Sequence, residues 1–131
     1  HQYQTFAMPC LQRIADAIHD VPLTLFSKGA WFALEDLAKL DCQTIGLDWN
    51  ILPDEARKRI GPDKVLQGNL DPCQLYAPPR KVREATLTML RGFGRKHIAN
   101  LGHGVYPDTP LDGVRAFVDT VQAYRYDQEA S

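Results

Sequence analysis

The sequence is short of charge bias, of paired cysteines and of long apolar runs, and each shortage closes a class of function. Lys+Arg 15 against Asp+Glu 16 leave a formal charge of −1. Phosphate binding needs a basic patch that displaces counterions, so nucleic acid is not expected as a partner. No run approaches the roughly 18 apolar residues of a membrane span. The segment His1-Gln2-Tyr3-Gln4 has neither the basic flank nor the apolar stretch of a secretory signal. Cys10, Cys42 and Cys73 are odd in number and form no CxxC. That suits a reducing compartment and offers neither a disulfide framework nor a zinc pattern. A GxxxxGK[ST] loop, an HExxH pair and a GxSxG elbow are also missing. Gly102-His103-Gly104 continues as Val105-Tyr106-Pro107, which does not extend to GxGxxG. The expectation is a folded, cytoplasmic protein with no nucleic-acid, membrane or metal partner. At 131 residues it has the length of one domain.

What is present is an alternation of two textures. Apolar runs of strand length occur at Val21 to Phe26, Thr44 to Leu47, Val65 to Leu70 and His97 to Leu101. Between them apolar residues recur at helical spacing. Leu11, Ile14, Ala15 and Ile18 make one stripe; Leu34, Leu37 and Ala38 a shorter one; Val82, Ala85, Met89 and Leu90 a third. A fourth holds Leu111, Val114, Val118 and Val121 with Phe117 beside them. All four read as core-facing. Pro53, followed by Asp54 and Glu55 and then by Arg57, Lys58 and Arg59, predicts a short helix stopped by Gly61-Pro62. Thr109-Pro110 with Asp112 predicts a capped start for the last helix. Gly92 and Gly94 are expected to close the helix that begins near Pro78-Pro79. Strand then helix, repeated, implies parallel strands under covering helices, as an open doubly wound sheet or as part of a (β/α)8 barrel. The chain opens on a helix with no strand before it, and four strands are half of a barrel, which tips the expectation to the second.

In either architecture function sits at the carboxyl ends of the strands. That rule selects Ser27-Lys28-Gly29, Asp48-Trp49-Asn50, the segment from Gln67 to Pro72, and Asn100 to Gly104. Gln67 and Asn69 put a polar stripe on one face of the third strand, which calls for partners in the lumen or for a ligand. His103, flanked by glycines that free its backbone and unscreen its ring, is the leading candidate for proton transfer or carboxylate binding. Lys28 could hold an anionic substrate or snorkel at its strand end. Asp48 is either a catalytic carboxylate or a cap on the loop that follows it. Asp71-Pro72 reads as a turn. His1, His19 and His97 are assigned structural or solvent roles.

Taken together, Gly46-Leu47-Asp48-Trp49, Leu66 to Pro72 (LQGNLDP) and Asn100 to Pro107 (NLGHGVYP) resemble the uroporphyrinogen decarboxylase family. Val21-Pro22 running into Phe26-Ser27-Lys28-Gly29, and Leu75-Tyr76-Ala77, are similar to it as well. The resemblance extends from about Phe6 to Tyr124 and implies a (β/α)8 barrel. In it residues 1–131 are the C-terminal part, strands five to eight, with the N-terminal half absent. It implies cofactor-free decarboxylation of the four acetate arms of uroporphyrinogen to give coproporphyrinogen, and a homodimer in the parent protein. It makes His103 the cleft histidine, with Lys28, Asp48 and Asn69 as further substrate-binding candidates. The family's carboxylate-gripping arginines, its pyrrole-facing aspartate, and a tyrosine and a serine of the cleft belong to its amino-terminal half. The 131 residues alone are therefore expected to be inactive. One rival is a cobalamin-dependent methyltransferase relative on the same barrel, whose zinc ligands would fall at Phe26, Lys28 and His103. Phenylalanine and lysine cannot supply such a site. A flavodoxin-like binding module is the other rival, but it should begin with a strand.

Overall fold

Proline and glycine set the limits of most elements. The computed structural model describes residues 2–126, and His1 lies outside the described residues. A helical segment, Tyr3–Ala7 continued by α1 (Met8–Ala17), leads to β1 (Thr24–Phe26) and α2 (Leu34–Ala38). Then come β2 (Thr44–Gly46), α3 (Pro53–Ile60), β3 (Val65–Leu70), α4 (Pro79–Phe93), β4 (His97–Leu101) and α5 (Leu111–Ala123). β1 is shorter than the expected run from Val21. Pro22 has no N–H to give, and the Leu23 N–H goes to the Gln43 side chain at 2.7 Å, so the ladder cannot start earlier. β2 ends one residue early by backbone pattern, although Leu47 still donates to the Gln67 carbonyl at 2.8 Å.

The four strands are all parallel and lie in the order β1-β2-β3-β4. A doubly wound sheet reverses its strand order at a switch point, whereas sequential order is the rule of the barrel. Leu25, Ile45 and Leu66 share a register row and are buried against the helices, at 6%, 0% and 0% exposure. The next row, Phe26, Gly46, Gln67 and Ile98, points to the opposite face. There Phe26 and Ile98 remain 46% and 45% exposed. The helices thus cover one side of the sheet, with Leu34, Leu37, Val82, Met89, Leu90 and Phe93 in the core. Burial of each large apolar side chain contributes roughly 1.5–3 kcal/mol.

Several local expectations are corrected. Along α1 Ala15 is buried, but Ile14 and Ile18 stay exposed. Along α5 the closest packing is at Gly113 and Ala116, and Leu111 and Val118 are exposed. Thr109 does not cap α5. Its hydroxyl accepts from the Tyr106 N–H at 3.0 Å and closes the preceding turn, leaving Pro110 at the helix start without a side-chain cap. Gly92 lies inside α4 and does not end it. A Cβ there would stand 2.7 Å from Pro53 Cβ, so this glycine lets α3 and α4 meet. Gly94, at φ +71°, makes the stop.

Candidate active site

The open face of the sheet and the loops beyond its carboxyl end form a cleft of about 420 Å³. Phe26 from β1, Leu47 after β2, Gln67 from β3, and Asn100 to Val105 from β4 and its loop line it. Phe26 reaches into the cleft because Gly46 beside it has no side chain. The Phe26 Cβ lies 3.0 Å from where a Gly46 Cβ would be. His103 is the one acid–base side chain among the residues that line it.

The loop that carries His103 is held from three sides. The Gly102 N–H donates to the Leu70 carbonyl at 2.8 Å. Gly102 itself packs directly on the Trp49 backbone, where a Cβ would overlap the Trp49 nitrogen. Neither Gly102 nor Gly104 adopts a positive φ, so the glycine before His103 serves close approach and not an unusual backbone angle. Tyr76 Oη donates to the Asp108 carboxylate at 2.6 Å, tying the turn after β3 to the same loop. The Asp108 carboxylate beside the Tyr76 hydroxyl pushes the phenol above its ordinary range, which keeps it a donor. Tyr106 meets the His103 ring edge-on, with centroids 5.8 Å apart. His103 Nδ1 is 2.9 Å from the Gly104 carbonyl. A carbonyl only accepts, so Nδ1 is the donor in this pair, and Nε2 has no partner among the described residues.

The other sequence candidates are placed differently. Lys28 is exposed and is not among the residues lining the cleft. Asp48 is buried; its carboxylate accepts from the Gly29 N–H and, at 3.4 Å, from the Asn50 N–H. It therefore pins the Lys28 loop to the end of β2, which is the capping alternative. Asn69 is buried too, and its amide donates at 2.8 Å to the carbonyls of Asp48 and Ile51. Asp48 and Asn69 thus stand together as a support for the β2 loop, behind His103. The expected polar stripe divides: Asn69 satisfies the protein, and Gln67 faces the cleft. Of the two alternatives that the polar stripe offers from sequence, a lumen partner or a ligand, Asn69 takes the first and Gln67 is left open to the second. His97 stacks on Phe93 at 4.3 Å and has Nε2 2.6 Å from the Gly68 carbonyl, so it is structural. Among the described residues no group of three or more His, Cys, Asp or Glu gathers as a metal site. No described helix is long and apolar enough to cross a membrane.

Parallel strands in sequential order, helices on one side and a cleft at the carboxyl ends define a partial (β/α) barrel of the enzyme-bearing kind. The solved structure of a methyltransferase from Methanosarcina mazei shares this fold with a TM-score of 0.79, covering 92% of this chain and 36% of that one. At 24% sequence identity that likeness concerns the fold alone. The model of the family Uroporphyrinogen decarboxylase (URO-D) matches residues 1–124, and the chain belongs to that family. It is 48% identical over 127 residues to the uroporphyrinogen decarboxylase of Salinibacter ruber, and 40% identical over 132 residues to that of Ovis aries. Each match covers 93% of this chain and 36% of the relative, so the chain spans about a third of the length of these curated relatives.

Proposed function

We propose that this chain forms one wall of the tetrapyrrole cleft of a uroporphyrinogen decarboxylase, a cytoplasmic, homodimeric carboxy-lyase of haem and chlorophyll synthesis. The observation that carries the reading is His103, held with Nε2 free in the cleft at the carboxyl edge of the sheet, within a segment that matches the family. In this reading the chain supplies strands five to eight of the barrel, and the remaining strands come from the part of the family length that lies outside it. A pyrrole carbon takes up a proton, carbon dioxide leaves from the acetate arm, and the remaining carbon is reprotonated. No metal or organic cofactor takes part. His103 binds a substrate carboxylate or places a proton for this sequence. Asp48 and Asn69 hold the β2 loop against which the His103 loop packs, and Lys28, exposed on the loop after β1, is the candidate cation for a carboxylate arm outside the cleft.

The test is steady-state decarboxylation by a polypeptide of the relatives' length, with and without His103→Asn. A loss of kcat or a rise in KM of on the order of 10²-fold is expected for removal of a group acting on proton transfer or charge. Unchanged kcat and KM would remove His103 from the site.

A further inference from the structure

Phe26, Gly46 and Gln67 of one register row line the cleft, and Gln67 is the one polar side chain of that row, which Ile98 completes. Its amide makes no hydrogen bond among the described residues, in contrast to the fully engaged amide of Asn69. Its neighbours in the row are Gly46, which has no side chain, and Ile98, with Phe26 lying over the space that Gly46 leaves. His103 lies beyond the end of β4, whereas Gln67 is level with Ile98 in the body of the sheet. Gln67 therefore meets whatever part of a ligand penetrates deepest.

Resting on the tetrapyrrole reading above, we infer that Gln67 holds the acetate carboxylate that is lost as carbon dioxide. The reacting carboxylate gives up its charge in the transition state. The C–C bond to it breaks, its electron pair moves into the protonated pyrrole ring, and carbon dioxide leaves. The exocyclic carbon then takes up a proton and the ring returns the one it first accepted. A cation facing this carboxylate would stabilise the charged ground state more than the transition state and would slow the step. A neutral amide gives one directed hydrogen bond without that penalty.

Uroporphyrin carries both acetate and propionate arms; coproporphyrin keeps the propionates and has methyl groups in place of the acetates. Each is titrated against this chain and followed by porphyrin fluorescence. Gln67→Lys should tighten uroporphyrin by about fivefold, because a charge-assisted hydrogen bond is about twice as strong as a neutral one. It should leave coproporphyrin unchanged, and Gln67→Glu should weaken uroporphyrin selectively. In a polypeptide of the relatives' length, Gln67→Lys should lower kcat on the order of tenfold while KM falls or holds. Equal shifts for both porphyrins, or none, would overturn the assignment of Gln67 and leave the tetrapyrrole reading in place. Binding of neither porphyrin by the unsubstituted chain would sink that reading, and this inference with it.

Discussion

Two histidines, six residues apart, show how surroundings decide what an imidazole does. His97 is largely enclosed, and burial pushes its pKa below the ordinary 6.5, with the Arg57 charge adding in the same direction. Its Nε2–H donates to Gly68, and its Nδ1 is buried without a partner. A charged ring is disfavoured there. The stability that the neutral ring contributes is complete above pH 6.5 and declines as pH falls through the lower folded value. Urea unfolding between pH 7 and pH 5 should therefore show a loss of stability that His97→Phe removes in part, and equal slopes in the two proteins would refute this. His103 lies in the open cleft, and its Nε2 has no partner among the described residues. What keeps it there is Gly102. A methyl at that position collides with the Trp49 backbone, so Gly102→Ala should cost about 1–3 kcal/mol through forced displacement of one loop. A urea midpoint unchanged from the parent would show that the loop yields freely.

At the scale of elements, one side chain gathers the amino-terminal ends of β3 and β4. The Arg57 guanidinium on α3 donates to the carbonyls of Gly61 and Lys64 at 3.2 and 2.8 Å, and to those of Phe93 and Lys96 at 3.4 and 2.8 Å. It thereby joins the end of α3, the start of β3, the end of α4 and the start of β4. Arg57→Ala should lose about 2–4 kcal/mol by denaturant unfolding, since four carbonyls lose a charged donor. Arg57→Lys should recover little of it, because a point ammonium cannot reproduce the planar fork. At the opposite end, Tyr76→Phe should change global stability by less than about 1 kcal/mol, the bond to Asp108 being exposed. It should nonetheless speed hydrogen exchange at Tyr106 and Thr109, and unaltered exchange would deny the tie a role in holding the His103 loop. Period and end signals made most of these elements legible: α3 starts at Pro53 and stops at Gly61, and β3 and β4 have the expected limits. Long-range contacts were not legible. Whether Thr109 caps a helix or closes a turn, and whether Gly92 ends α4 or receives Pro53, depends on residues distant in sequence. Asp48 and Asn69 show the same limit at the site. Their position at strand ends was visible, but the backbone groups that consume their hydrogen bonds were not.

For the whole molecule the decisive feature is asymmetry. Parallel sheets are normally covered on both faces, yet the described residues cover one. Phe26 and Ile98 stand half exposed on the other, and both outer strands, β1 and β4, have one unpaired edge. Ile14 on α1, Ile18 at its end, and Leu111 and Val118 on α5 are further exposed apolar side chains. Unpaired edges with apolar flanks favour association over a monomer. The two matched relatives are almost three times as long as the region they share with this chain, so a polypeptide that pairs both edges and covers the open face has an obvious source. The chain by itself should therefore associate in a concentration-dependent way, bind a hydrophobic dye, and decarboxylate no uroporphyrinogen. Refolding it together with the part of the Salinibacter ruber relative that lies outside the matched region should suppress both the association and the dye binding. It should also restore decarboxylation that His103→Asn weakens on the order of 10²-fold. A monodisperse, dye-silent monomer would show that the open face is not an interface. Activity in the chain freed of any such partner would show that the cleft described here is already complete.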